Sequence, residues 1–434
     1  MEIIMTLLPF VFLIVLMTLS VPVGFSLILS SILELLVTGN YFFFQEIPTT
    51  LYFSLDHFTF LAIPFFILSA ELLSGGKVID LLFALASVLL KRVPGGVGVV
   101  TIFVSMMLSS IQGSSAATAA ALGKIGTDGM GKEGYDRGFA ASLIAASGGL
   151  AIMIPPSIAM IIYGTLSNTS IGKLFYGGIL PGVIIGTALI AYTMIVAYKN
   201  KYGVEHEAIS WRAIFILLRN SIPLLFFPVI VLFGFYTGKF TATEIGTISA
   251  FYSAFIGAFI YRTINMKNIF QIIDRSSKVT VSIFIIIAGA ILFQHILVLS
   301  GFVNTILGVI HQASLSRFEF LIIISVIMYF LGMFMEGVAL NVLTTPILAP
   351  IALTLGIDPV HYGIILVLNI EIALISPPVG LNLFVLSGVT NIKPEAMYKA
   401  VWPVILVLVA CLVLLIAFPQ LTLFLPHLLT STHM

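Results

Sequence analysis

The stretches AIMIPPSIAMIIYG at 151–164 and ALISPPVGLNLFVL at 373–386 decide the fold. Each sets a Pro-Pro pair inside an apolar run. Consecutive prolines remove two amide donors and clash with the preceding turn, so a helix through either stretch must break there. The stretches superpose at a constant offset of 222: Ala151 falls on Ala373, Pro155 on Pro377, Pro156 on Pro378, Tyr176 on Tyr398 and Pro181 on Pro403, without a gap. In a chain of 434 residues that offset describes two copies end to end, with a boundary near residue 220. The copies are inverted if each makes an odd number of membrane crossings.

Working outward, the flanking sequence has the composition of a membrane protein. Sixty per cent of residues are hydrophobic and 9% charged, about a third of the charge density of a soluble domain. A soluble globular protein is excluded. At about 20 apolar residues per crossing, the chain has material for roughly ten to a dozen crossings. Runs such as Ile3 to Leu33 and Val401 to Phe418 are apolar all round rather than alternating, which excludes a transmembrane β-barrel. The expected class is an all-α polytopic membrane protein. A net charge of +1 gives no reason to expect nucleic acid as partner. The only cysteine, Cys411, lies in the last apolar run and reads as packing. The start of the chain reads as an uncleaved first span.

Charge clusters punctuate the apolar runs at Lys77 to Arg92, Lys124 to Arg137, Lys199 to Arg219 and Arg262 to Lys278. The last two carry four basic residues each, and spans near 220–237 and 244–261 fit between them, so both basic loops are expected in the cytoplasm. Within those loops, WRAIFILLRN (211–220) and NIFQIIDRSSK (268–278) mix bulky apolar and basic residues and read as helices at the membrane surface. For the first, the start of the next span is an equal reading.

Broken backbone at membrane depth survives only within protein or beside a water-filled cavity, where transporters place ion and substrate sites. A kinked packing helix is the competing reading of one such motif, and its recurrence favours the site. Upstream of each break lies a second pair, QGSSAATAAALGKI (112–125) and MEGVALNVLTTPILAPI (335–351), at an offset near 224. Gly113 to Ala120 has no bulky side chain, which suits helix packing in membranes or a hairpin tip whose hydroxyls and carbonyls hold a hard cation. Ser114, Ser115 and Thr118 supply oxygens in the first half; Asn341, Thr344 and Thr345 do so in the second. Ser147, Ser157, Ser376 and Asn382 either fix solute or ion, or satisfy the freed backbone of their own helices. Half-helix N-termini suit a carboxylate, and C-terminal carbonyls suit the cation. Glu336 and Glu371 sit in apolar sequence. Such residues are functional candidates by default; Glu336 adjoins the hairpin, while Glu371 divides evenly between function and structure. Glu34, Glu71 and Asp56 read as solvated helix ends.

No GxxxxGK[ST] phosphate loop is present, so the chain needs an ion gradient rather than nucleotide hydrolysis. The seven histidines form no HExxH or close ligand pair, which argues against a zinc protease and against haem.

The motifs GSSAATAAALGKI, GGLAIMIPPSIAMIIYG, FMEGVALNVLTTPILAPIAL with GIDPVHYGII, and ISPPVGLNLFVLSG together resemble the large membrane subunit of the tripartite ATP-independent periplasmic (TRAP) transporters. The resemblance covers almost the whole chain. It implies an inner-membrane, Na⁺-coupled importer of small organic acids such as C4-dicarboxylates or sialic acids, with an elevator-type mechanism in which a transport domain moves against a scaffold. It implies two partners, a small four-helix membrane subunit and a periplasmic substrate-binding protein. The first repeat would span 1–219, with a hairpin near 105–125 and a broken helix near 145–165. The second would span 220–434, with a hairpin near 330–350 and a broken helix near 368–388. By motif, one Na⁺ site would use the region of Ser114, Ser115, Gly149 and Pro155, and another that of Glu336, Gly337, Ser376 and Pro378. The family often has Asp where Glu336 stands and Thr where Ser376 stands; both changes keep an oxygen ligand. Solute contacts would come from Thr118, Ser147, Ser157, Asn341, Thr344 and Asn382. Rival readings are a carrier working without a binding protein, a passive channel, and an intramembrane hydrolase using Ser114 with a histidine such as His295.

Overall fold

A computed structural model describes residues 2–90, 93–202, 211–302, 308 and 315–430. Among these every regular element is helical. Six helices are long and apolar enough to cross a membrane, or eight if each bent pair is one span. The sequence expectation was higher because hairpin arms and broken helices are apolar without being full spans. His206, His311 and His433 lie outside the described residues.

Both breaks are where the prolines put them. In the first half, Arg137–Gly148 and Leu150–Met153 run into Pro155-Pro156, and the chain resumes as Ile158–Leu166, bent by 45°. In the second, Pro359–Leu374 stops before Pro377-Pro378 and resumes as Leu381–Thr390. Both Pro-Pro bonds are cis. The helices leading in are started by the same device 222 residues apart. Asp136 accepts from the Phe139 amide at 2.8 Å, and Asp358 accepts from the Val360 amide at 2.8 Å. Each cap satisfies an orphan amide and contributes about 1 kcal/mol.

A hairpin precedes each broken helix. Its arms are Gly96–Gln112 and Ser115–Lys132 in the first half, Arg317–Gly332 and Gly337–Thr354 in the second. The returning arms are both 18 residues long and lie 222 apart at either end, which corrects the offset near 224 read from residue likeness. Identity is weak there because small residues in one half face Asn and Thr in the other.

The halves interleave. Leu381–Thr390 packs against Ser115–Lys132, and Ile158–Leu166 against Gly337–Thr354. Likewise Pro394–Ala417 packs on Arg137–Gly148, and Ile171–Asn200 on Pro359–Leu374. Outside this block, Ile269–Leu299 lies against Val23–Thr38 and also touches Gly337–Thr354.

Two sequence expectations are corrected. Residues 268–278 do not form a separate surface helix but begin the 31-residue helix Ile269–Leu299. At 1.5 Å per residue it is about 46 Å long, so its charged first turns project past an apolar core about 30 Å thick. Residues 211–220, which admit two readings in the sequence, belong to the 26-residue helix Trp211–Tyr236, as the start of the next span. Glu34 is not a solvated end: it is 2% exposed and its carboxyl lies beside Ser300, because Val23–Thr38 turns that face toward the long helix. Glu71 and Asp56 reach solvent, Glu71 in an ion pair with Arg275 at 3.1 Å.

Candidate functional site

The two hairpin tips and the flanks of both breaks meet at one cavity of about 430 Å³. Ser114, Ser115, Glu336 and Gly337 line it from the tips; Ile152 and Ile158 bracket the first break, Leu374 and Leu381 the second. Its charged lining among the described residues is Glu336 and Lys278, the latter from the long helix together with Ser282. A smaller cavity of about 230 Å³, lined by Met17, Val21 and Val379, also touches Glu336. Glu336 thus stands between two spaces.

The tips are built differently. Gly113 turns the first with φ +60°, where a side chain is strained, and a Cβ there would come within 3.0 Å of the Pro156 carbonyl. The first tip therefore rests on the first break. Ser114 then starts the returning arm without any side-chain cap. The equivalent residue, Glu336, does cap: its Oε2 accepts from the Val338 amide at 3.0 Å and the Ala339 amide at 3.2 Å. A carboxylate here also faces the positive end of the helix dipole.

Behind the tips, polar side chains tie each half to the other. Asn341 donates to the Ala159 carbonyl at 2.8 Å and accepts from Thr345 Oγ1 at 2.8 Å. In the opposite sense, Asn382 Nδ2 donates to Ser115 Oγ at 2.6 Å. Ser115 Oγ donates in turn to Glu371 Oε2 at 3.1 Å. Glu371 enters this space because position 149 is glycine; a Cβ there would overlap the carboxyl group.

The remaining candidates are held by their own elements or by ones next to them in the chain. Ser147 Oγ donates to the Ile144 carbonyl, Thr344 Oγ1 to Leu340, and Ser376 Oγ to Ile372. Ser157 donates to the Ile152 carbonyl at 2.6 Å and accepts from the Met160 amide, so it satisfies a freed carbonyl and caps the resumed helix at once. Thr118 donates to Gln112 Oε1 at 2.8 Å, closing the hairpin. Pro378 offers its carbonyl to the Tyr398 hydroxyl at 2.5 Å, whereas Tyr176 donates to Leu232. Thr118, Ser147, Ser157, Asn341, Thr344 and Asn382 line neither cavity; Ser114, Ser115, Glu336 and Gly337 line the large one.

Lys278 and Ser282 carry no motif in the sequence: Lys278 ends the segment that reads as a surface helix, and Ser282 lies just beyond it. Asp274, four residues before Lys278 and ion-paired with it at 2.7 Å, carried the signal of a continuous helix face. His295 is 2.8 Å from Glu46, so its ring is engaged away from the serines. No group of three or more His, Cys, Asp or Glu that could hold a metal ion occurs among the described residues.

Three comparisons bear on this architecture. The family model of the tripartite ATP-independent periplasmic transporter, DctM component, matches residues 10–421. The C4-dicarboxylate TRAP transporter large permease protein DctM of Pseudomonas aeruginosa is 37% identical over 88% of this chain and 90% of its own length. The sialic acid TRAP transporter large permease protein SiaM of Vibrio cholerae is 34% identical over 94% of this chain and 95% of its own. The isethionate TRAP transporter permease protein DctMQ of Oleidesulfovibrio alaskensis is 34% identical over 93% of this chain, but only 64% of that longer protein is matched. In fold, the crystal structure of the YdaH transporter of Alcanivorax borkumensis is similar, with a TM-score of 0.60 at 13% identity over 87% of this chain and 88% of that one.

Proposed function

We propose a function from this premise: the chain belongs to the DctM family of tripartite ATP-independent periplasmic transporters and is a large permease. As such it is a multi-pass protein of the inner membrane and a transporter rather than an enzyme. We infer that it carries a small organic acid anion, of the C4-dicarboxylate or sialic acid type, coupled to Na⁺. The observation that carries this reading is the shared cavity, where two hairpin tips and two interrupted helices face one another across about 430 Å³. Lys278 lines it in an ion pair with Asp274 for which the solute's carboxylate would compete, and the tips give it oxygen-rich backbone for a hard ion.

On this reading one Na⁺ lies near Ser114, Ser115, Gly149 and Pro155, and a second near Glu336, Gly337, Ser376 and Pro378. Lys278 belongs to a basic segment, so the cavity opens to the cytoplasm. The interleaved block is the mobile transport domain of an elevator, and the outer helices, including Val23–Thr38, form the scaffold. A small four-helix membrane subunit and a periplasmic substrate-binding protein complete the machine. The additional third of DctMQ supports a companion membrane segment.

The test is uptake of labelled succinate and sialic acid into vesicles holding the permease with both companions. Uptake of one of them is expected only under an inward Na⁺ gradient, and K⁺ should not replace Na⁺. Equal uptake without Na⁺ would sink the coupling, and uptake without the binding protein would favour a carrier that works alone.

A further inference from the structure

We propose that Glu371 supplies the negative charge of a monovalent-cation site shared between the halves, with Ser115 and Asn382 as its other side-chain ligands. The inference rests on the Na⁺ coupling proposed above and adds a ligand that the motifs do not assign. Glu371 and Ser115 are each 3% exposed and Asn382 0%. Two acceptor oxygens there, Glu371 Oε1 and Asn382 Oδ1, have no hydrogen-bond partner among the described residues. Both side chains are bonded to the same atom, Ser115 Oγ, at 3.1 and 2.6 Å. Each unpartnered oxygen thus sits on a buried group bonded to Ser115, whose residue lines the cavity.

Such a carboxylate is costly unless its charge is met. Among the described residues no Lys, Arg or His pairs with it: Arg275 pairs with Glu71, Lys278 with Asp274 and His295 with Glu46. A single carboxylate joined by a hydroxyl and an amide oxygen is a hard, singly charged donor set, which suits an alkali cation rather than zinc or copper. The geometry also explains the unlike residues at one repeat position. Gly149 and Glu371 are 222 apart, and the missing side chain in the first half is the room the second half's carboxyl fills. Ion arrival would pull Asn382 and Ser115 toward one centre and thereby brace Leu381–Thr390 against the first hairpin.

The test follows thermal unfolding of the purified permease while NaCl replaces choline chloride at fixed ionic strength, alongside ²²Na⁺ binding. The wild-type midpoint should rise with Na⁺, and Glu371→Gln should need about tenfold more Na⁺ or lose the response, as expected when a buried charged partner is removed. Glu371→Asp should recover part of the response. An unchanged Na⁺ dependence in Glu371→Gln would overturn this site while leaving Na⁺ coupling intact. A wild type indifferent to Na⁺ in both measurements would overturn coupling and this site together. If Glu371→Gln does not fold, Asn382→Ala decides: a raised Na⁺ requirement supports the site and an unchanged one removes it.

Discussion

The region from Gly113 to Ser157 and the region from Met335 to Val379 place their returning arms and the starts of the helices leading into the breaks at a single offset, yet they satisfy the broken backbone by different means. The first half turns its tip on Gly113 and leaves Ser114 uncapped; the second spends a carboxylate, Glu336, on two amides. Each half covers a carbonyl from within, through Ser157 on Ile152 and Ser376 on Ile372, and the second also takes the Tyr398 hydroxyl from the following helix. At the equivalent positions 149 and 371 one half has no side chain and the other an acid. Similar backbones have thus been given unequal chemistry.

The sharpest way to break this comparison is to place one methyl group in each half. Gly149→Ala would drive a Cβ into the Glu371 carboxyl, whereas at Gly337 a Cβ meets Ile370 at 3.0 Å, a contact that side-chain movement can relieve. Overpacking typically costs about 1–3 kcal/mol. We expect Gly149→Ala to lose about 3 kcal/mol or more, with monodisperse protein lost in size-exclusion profiles, and Gly337→Ala to lose about 1 kcal/mol. Equal behaviour would mean that the two positions are not as different as the structure has them.

Next in size are the cross-half bonds. Asn341→Ala takes the side-chain donor from the buried Ala159 carbonyl, and Asn382→Ala does so for Ser115. Each should cost about 1–3 kcal/mol, read as a drop of several degrees in the unfolding midpoint. Glu336→Ala removes a cap worth about 1 kcal/mol. The smallest expected effect separates the tyrosines: Tyr398→Phe should cost about 1 kcal/mol or less and raise amide exchange around 379–383, while Tyr176→Phe leaves exchange at 152–158 unchanged. Greater exchange at both breaks after Tyr176→Phe would show that the halves use their tyrosines alike.

What was legible in the sequence follows the range of the interaction. Pro155-Pro156 and Pro377-Pro378 act on the turn beside them, so the breaks and their spacing could be read directly. The hairpins followed from small residues and a turn near Gly113. The 268–278 segment was misread because charge says where a helix meets water and nothing about where it ends; no proline or glycine interrupts it before the span. Glu34 was misread for a related reason: nearby turn residues set the helix end, but which face is buried depends on a neighbour more than 250 residues away. Glu371 could be noticed as an acid in apolar sequence, yet its partner Ser115 lies 256 residues off, and no local pattern reveals that pairing. Lys278 and Ser282 were missed because cavity walls are made by packing, not by motif.

The reciprocal tie between Asn341 and Ala159, and between Asn382 and Ser115, bears on how such a chain could be divided. Severed near residue 220, each polypeptide would carry a hairpin whose stapling partner is on the other piece, so neither alone could enclose the cavity. Produced together, the fragments would have a ready means of finding one another through these two ties.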